Sequence, residues 1–464
     1  MSAARGLALF GLVIMSVAQA TSASAAEQPG LVVHEWGTFT TLQSEQGIEL
    51  GGVNVDDEPV PGFVHNLGPW VLRPALLTSR HWRFRSKQTP LHHPEVTMRL
   101  ETPVIYFYPP PGASSPLSLD VHVRFRGGWL TEFYPKADPV APGITDLKPG
   151  SNREEFRGLT RQTVSSLSWV DLKVGAEGRL PETDWPVWLA PRKVAAATVT
   201  ARSKESEKYL FYRGVAHLRA PLKVSTDVET NTLSLRANFD EVLKDREKAP
   251  IRQLWLAHIR DDGTAAFRSL GAVEATADPQ RVMLKTSASF APQDFKTDGI
   301  ARLKTEMQAE LVAEGLFEDE ARALLATWDK AYFQSSGLRL FFATPRRWTD
   351  HYLPLSVSSA AHLERVMIAR IELITPEQRK LLKRIGDGPI SGPAWIDRLA
   401  DGPEKRSFEA GHGVNAEVAA IMPADYRDYI SLGRFRNALA TWYAAQQPQS
   451  KMKDFVSNYQ LDEY

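Results

Sequence analysis

His34 and Glu35 stand side by side in the string VHEWGTFT at residues 33–40. An imidazole next to a carboxylate is a common pairing for proton transfer near neutral pH. On a strand, however, adjacent side chains point to opposite faces, so the two share one site only across a bulge. The competing reading is a hydrogen-bonded core histidine beside a glutamate paired with an arginine. Glu101 and Glu132 also occupy strand-like settings. Two of the three carboxylates, if about 5 to 9 Å apart, would suit acid–base work on a glycosidic bond. The candidate catalytic set is therefore His34, Glu35, Glu101 and Glu132, as ligand, base or acid. The chain also carries 12 Trp, among them Trp36, Trp70, Trp129, Trp185 and Trp188, which would either stack on sugar rings or fill a large β core.

A metal candidate follows from His92, His93 and Glu95, with His65 and His81 upstream. Imidazole nitrogens and a carboxylate suit Zn²⁺ or a similar ion. Pro94 argues against a helix presenting them together, and a structural loop is the competing reading. No further cofactor follows from the sequence. Arg346, Arg347 and Asp350, followed by His351, could bind an anion or form a buried ion-pair network. With Trp36 they make up the candidate binding residues. There is no Gly-x-Ser-x-Gly elbow and no phosphate-binding Walker loop. The segment at 411–416 loosely echoes a dinucleotide loop but lacks the strand–helix–strand context.

Composition narrows the classes. Lys+Arg and Asp+Glu are 55 each, so no electrostatic case exists for nucleic acid or an anionic membrane as partner. The absence of Cys excludes disulfides, thiolate metal sites and Cys nucleophiles. Residues 1–25 read as a signal peptide: Arg5 supplies positive charge, residues 7–17 a short apolar run, and Ala23-Ser24-Ala25 a small-residue cleavage pattern. No later stretch of about 18 apolar residues follows, so no integral membrane segment is expected after cleavage. The chain is expected to be exported, to periplasm or outside the cell, with an envelope glycan or protein as candidate partner. Its oligomeric state is not legible.

The elements that must position these residues are mostly strands up to about residue 290. Residues 117–125 alternate strictly between apolar and polar, the pattern of a half-wetted strand. Gly127-Gly128 then suggests a turn into a partner strand at 129–134. Residues 104–108 are β-branched and aromatic, hence strand-like. Asp261-Asp262-Gly263 and Thr230-Asn231 mark two further hairpins. Beyond Pro292 the spacing of Ile300, Leu303, Met307 and Leu311 predicts a helix, and Ala321, Leu324, Leu325, Trp328 and Tyr332 a second. Residues 338–343 and 366–374 revert to strand. Thr375-Pro376-Glu377-Gln378 reads as a capped helix start, and Phe435, Leu439, Trp442 and Tyr443 mark a last amphipathic helix. The predicted fold class is α+β. A β-rich, sandwich-like part at 26–290 carries a mixed, helix-rich region at 291–464 packed on it.

Several of these strings together resemble a family of secreted bacterial proteins with an N-terminal His-Glu-Trp-Gly-Thr-Phe-Thr motif. They are residues 33–40, 101–108, 128–135, 211–214, 315–322, 345–350 and 365–376. The resemblance implies export and one shared fold over most of the chain. It supplies no activity and no catalytic residue. Two readings follow: an envelope or extracellular hydrolase, metal-assisted or acting on glycans, or a non-catalytic binding or structural protein of the cell envelope.

Overall fold

The computed structural model describes residues 30–54, 60–67, 93–113, 116–145, 158–238, 251–273, 281–399, 402 and 415–462. The expected signal peptide, Trp70, His81 and His92 lie outside these residues. The strands in the first half are β1 Leu31–Gln43, β2 His65–Asn66, β3 Met98–Tyr108, β4 Leu117–Arg126, β5 Gly128–Tyr134, β6 Asp138–Val140, β7 Val164–Val174, β8 Val199–Thr200, β9 Ser206–Glu207 and β10 Leu210–Ala216. They are followed by β11 Leu222–Asp227, β12 Thr232–Ala237, β13 Ile251–Ile259, β14 Ala265–Val273, β15 Leu284–Ser287, β16 Gly337–Ala343, β17 Leu355–Val357 and β18 Ala361–Leu373. One 15-stranded mixed sheet has the main order β14-β13-β16-β18-β1-β3-β10-β5-β7-β4-β17, and β11-β12-β15 form a small second sheet.

The protein is therefore a mixed α/β fold around one large curled sheet. The expected division near residue 290 does not appear in the strand order. β16 and β18, both beyond it, pair with β13 and β1. The small sheet packs Leu222, Val224, Leu233 and Leu235 into the same core as Val33, Phe39 and Phe107 of the large one. The helices used below are α1 Gly299–Ala313, α2 Glu318–Thr327, α3 Arg346–Tyr352, α4 Pro376–Asp387, α5 Ala424–Ser431, α6 Arg436–Gln446 and α7 Met452–Asn458. α1 and α2 cover the second face of the large sheet, burying Leu303, Met307, Leu311, Leu324 and Leu325 with Trp36. α4 to α7 build a third core with Leu42, Val53 and Trp129.

β4 follows its alternation, with Leu119, Val121, Val123 and Phe125 buried and the intervening residues more exposed. The expected hairpin partner is corrected, however: β4 pairs with β7 and β17, whereas β5 pairs with β10. The Gly-Gly pair serves close packing instead of a two-residue turn. A Cβ on Gly128 would lie 2.4 Å from the Phe125 ring, and one on Gly127 2.4 Å from the Leu218 side chain.

β1 lies between β18, parallel, and β3, antiparallel, and is buried on both faces. Val33, Glu35 and Phe39 face the first core, and His34, Trp36, Thr38 and Thr40 the second. A bulge in β3 follows from the register: Trp36 pairs with Val104 but Thr38 with Glu101, and Thr102 takes φ of 49°. The extra residue keeps Glu101 on the same face as Val104 and Tyr106. Gly37 lies across from this bulge, where an added Cβ would meet Pro103 Cα at 2.8 Å. Gly37→Ala should lower the unfolding free energy by about 1–3 kcal/mol in urea denaturation, the usual cost of overpacking. A loss under about 0.5 kcal/mol would mean that the bulge yields freely.

Candidate functional site

The four candidate catalytic residues do not converge. His34 Nδ1 lies 2.7 Å from Glu320 Oε2, with both side chains buried. The same carboxylate accepts the Phe317 N–H at 2.7 Å and the Tyr108 hydroxyl at 2.9 Å. Glu320 thus serves the first turn of α2 and fixes His34 beneath it. Glu35 projects to the opposite face, where Arg365 Nε donates to it at 2.6 Å and the Tyr212 hydroxyl at 2.6 Å. Burial and the neighbouring Glu35 push the Tyr212 hydroxyl far above its ordinary value, so it stays a donor.

Glu101 pairs with Thr38, four residues along β1 from His34, which at 3.3 Å per residue is about 13 Å. Glu132 lies in β5, separated from β1 by β3 and β10, so about 14 Å away at strand spacing. It pairs instead with Arg213 Nη1 at 3.7 Å and accepts from Asn66 at 2.9 Å. Glu35 is thus remote from both Glu101 and Glu132, whereas Glu101 and Glu132 lie two strands apart with Arg213 of β10 between them.

Among the candidate binding residues, Trp36, Arg346 and Asp350 are held in structural contacts. Trp36 is fully buried in the second core and offers no face to a sugar. Asp350 accepts from Arg346 Nε at 3.0 Å and from Arg365 Nη1 at 2.8 Å, extending the Glu35 network to the surface. Arg347 is exposed on α3. At the candidate metal site, His93 is buried and its Nδ1 accepts the Glu95 N–H at 3.2 Å, a local turn contact. Glu95 Oε2 lies 3.8 Å from His217 Nδ1. His92 is outside the described residues. Among the described residues no three His, Asp or Glu side chains are grouped to hold a metal ion.

A different cluster lines an open cleft of about 570 Å³ at the sheet end where β13 stops, β16 starts and β18 stops. Its floor holds Arg339, Arg370, Glu372 and Arg434. Arg339 lies directly across from Glu372 in the β16–β18 register, with Nε 3.1 Å from Oε1. Arg370 and Glu372 are two apart on β18 and so share a face; their side chains are 2.5 Å apart. Arg434 Nη2 donates to Glu101 at 3.0 Å, and Arg99 Nε lies 3.9 Å from the same carboxylate. Four guanidiniums thus surround two carboxylates.

The electrostatics follow from that imbalance. Burial alone would raise Glu101, but Arg434, Arg99 and Arg370 together outweigh it and hold the carboxyl at about 2. Glu372 is lowered likewise: burial raises it, and Arg339 and Arg370 overcome the burial. Burial pulls Arg339 down, Glu372 restores part, and Arg370 and Arg434 push it lower, to about 9. It remains charged at neutral pH. His258 at the rim is lowered by burial, so the cleft's positive charge comes from arginine. The rim also carries Asp261, Asp262 and Glu377.

Both Nη groups of Arg339 are engaged, donating to the Tyr332, Ser335 and Ser336 carbonyls and to Ser335 Oγ, while its buried Nε makes no hydrogen bond and lies 3.1 Å from Glu372. Arg370 keeps one group open to the cleft. Its Nε donates to Glu372, its Nη1 donates to the Ala331 carbonyl at 2.9 Å, and its guanidinium lies 4.2 Å from the Tyr332 ring centre. No acceptor among the described residues takes its Nη2. The starts of α4 and α6 also border the cleft, adding the positive ends of two helix dipoles.

The motif reading passed over this cluster because no contiguous string carries it. A signal was present nonetheless. Arg339 interrupts the otherwise apolar β16, Arg370 and Glu372 interrupt the buried apolar end of β18, and a charge in a strand buried on both faces requires a partner.

No family model matches the chain, and no curated protein matches it. Among solved structures, the Fcho1 mu homology domain of Danio rerio with bound Eps15 peptide is similar at a TM-score of 0.25 and 8% identity, over 75% of this chain and 97% of that one. The yeast delta-COP-I mu-homology domain complexed with Dsl1 WxWxV peptide is similar at a TM-score of 0.23 and 10% identity, over 74% of this chain and 96% of that one. At these TM-scores neither likeness carries an argument about fold or ligand.

Proposed function

We propose that this chain is an exported binding protein whose arginine-floored cleft holds a small anionic ligand. The observation that carries the reading is the Arg370 guanidinium, which lines the cleft floor with its Nε and Nη1 bonded and its Nη2 open to the cleft, taken by no acceptor among the described residues. An oxyanion is the natural partner for an open guanidinium N–H, because charge-assisted hydrogen bonds are the strong ones. The hydrolase reading has no comparable support, because its carboxylates are each committed to arginine. The N-terminal apolar run and small-residue pattern support export.

The test is isothermal titration with acetate, sulfate and phosphate at low ionic strength. Saturable binding of at least one is expected, together with a rise in Tm as the bound form is stabilised. Arg370→Gln should weaken binding about tenfold or more, the usual worth of a charge-assisted hydrogen bond. Ser336→Asp places a negative charge in the lining at an exposed position and should weaken it similarly. Absence of saturable heat and of any Tm rise with all three anions sinks the reading.

A further inference from the structure

The geometry points to the chemical class of that ligand: an aromatic monocarboxylate, its carboxylate on the arginine floor and its ring against phenylalanine. This inference rests on the anion-binding reading. Phe290 and Phe295 line the cleft above the floor and are only half-buried. Neither ring is loose. The Arg268 guanidinium lies 4.6 Å from the Phe290 ring centre, and that of Arg260 3.3 Å from the Phe295 ring centre. The two rings meet edge to face, with centres 6.2 Å apart. A pre-set pair of ring surfaces recognises a flat apolar body better than a hydrated ion.

The lining also includes small residues: Ser289, Ser335, Ser336 and Gly433. A Cβ placed on Gly433 would meet nothing within 4 Å, so this wall leaves open space. The volume of about 570 Å³ is that of a small-molecule site and far exceeds what one oxyanion occupies. Charge selects the head group. Asp261, Asp262 and Glu377 stand at the entrance and repel a dianion more than a monoanion. On the floor the open Arg370 Nη2 group matches one carboxylate.

The experiment compares propanoate, 3-phenylpropanoate and phenyl phosphate by isothermal titration on the whole protein and on Phe295→Ala. We expect 3-phenylpropanoate to bind at least about tenfold more tightly than propanoate, the worth of one ring contact plus its buried area. Phe295→Ala should erase most of that preference, with an unaltered far-UV circular dichroism spectrum as the check that the variant is folded. Equal affinity for the two acids overturns the inference while leaving the anion reading intact. Tighter binding of phenyl phosphate than of 3-phenylpropanoate overturns the monocarboxylate assignment. Failure of all three ligands to bind would remove the anion reading itself.

Discussion

Arg365→Met should destabilise the protein by about 3–5 kcal/mol at pH 7, the cost of stranding one member of a buried ion pair. Glu35 is fully buried on the central strand, and Arg365 is its direct neighbour in the parallel β1–β18 register. Burial alone would lower the Arg365 guanidinium. Glu35, Tyr212 and Asp350 more than reverse this, so the pair is charged and compensated. Without the guanidinium, Glu35 keeps only the Tyr212 hydroxyl, and the Leu353 carbonyl loses its 2.6 Å donor. Replacing both members, Glu35→Gln with Arg365→Met, should recover much of the loss, because the isolated charge is then gone. Urea midpoints for the single and double variants decide the matter. A loss under about 1 kcal/mol in the single variant would mean that the pair is not a buried brace.

That pair illustrates what the sequence could and could not disclose. The notion that Glu35 pairs with an arginine was legible, since a carboxylate in an apolar strand needs a cation. Which arginine was not: Arg365 is 330 positions away, and a parallel pairing leaves no turn to mark it. Local signals fared better. The hairpins at 222–237 and 251–273 form with the expected turns, and Thr375 caps α4 with Gln378 as its spacing suggested. Each depends on a few neighbouring residues, so no long-range information is needed.

The misread Gly127-Gly128 hairpin failed for a related reason. Two glycines are compatible either with a tight turn or with close approach of other chains, and only the tertiary neighbours Phe125 and Leu218 decide between them. The cleft arginines were visible as interruptions in strands β16 and β18. Their meaning depended on Arg434, Glu101 and Arg99 arriving from other elements, which no single window contains.

Glu101 supplies the second large effect, and it ties stability to the cleft. Its carboxyl is held at about 2 in the folded protein against an unfolded value of 4.5. A depressed acid contributes stability that is fully present above the unfolded value and is lost as the pH falls through the folded one. The window is therefore pH 4.5 down to about 2, and the contribution is about 3 kcal/mol. Glu372, also lowered, acts in the same direction. Glu101→Gln should thus be less stable than the parent at pH 7, and the difference should close as both are titrated from pH 5 to pH 2. The same substitution leaves four guanidiniums facing one carboxylate, so acetate or phosphate should bind the variant about three- to tenfold more tightly at pH 7. A purely structural arginine cluster predicts the first effect without the second. Unfolding curves across pH, read beside anion titrations of the same variant, separate the two. Equal anion affinity in parent and variant would mean that the charge excess is not addressed to a ligand, and a stability gap unchanged between pH 5 and pH 2 would mean that Glu101 is not held ionised by its arginines.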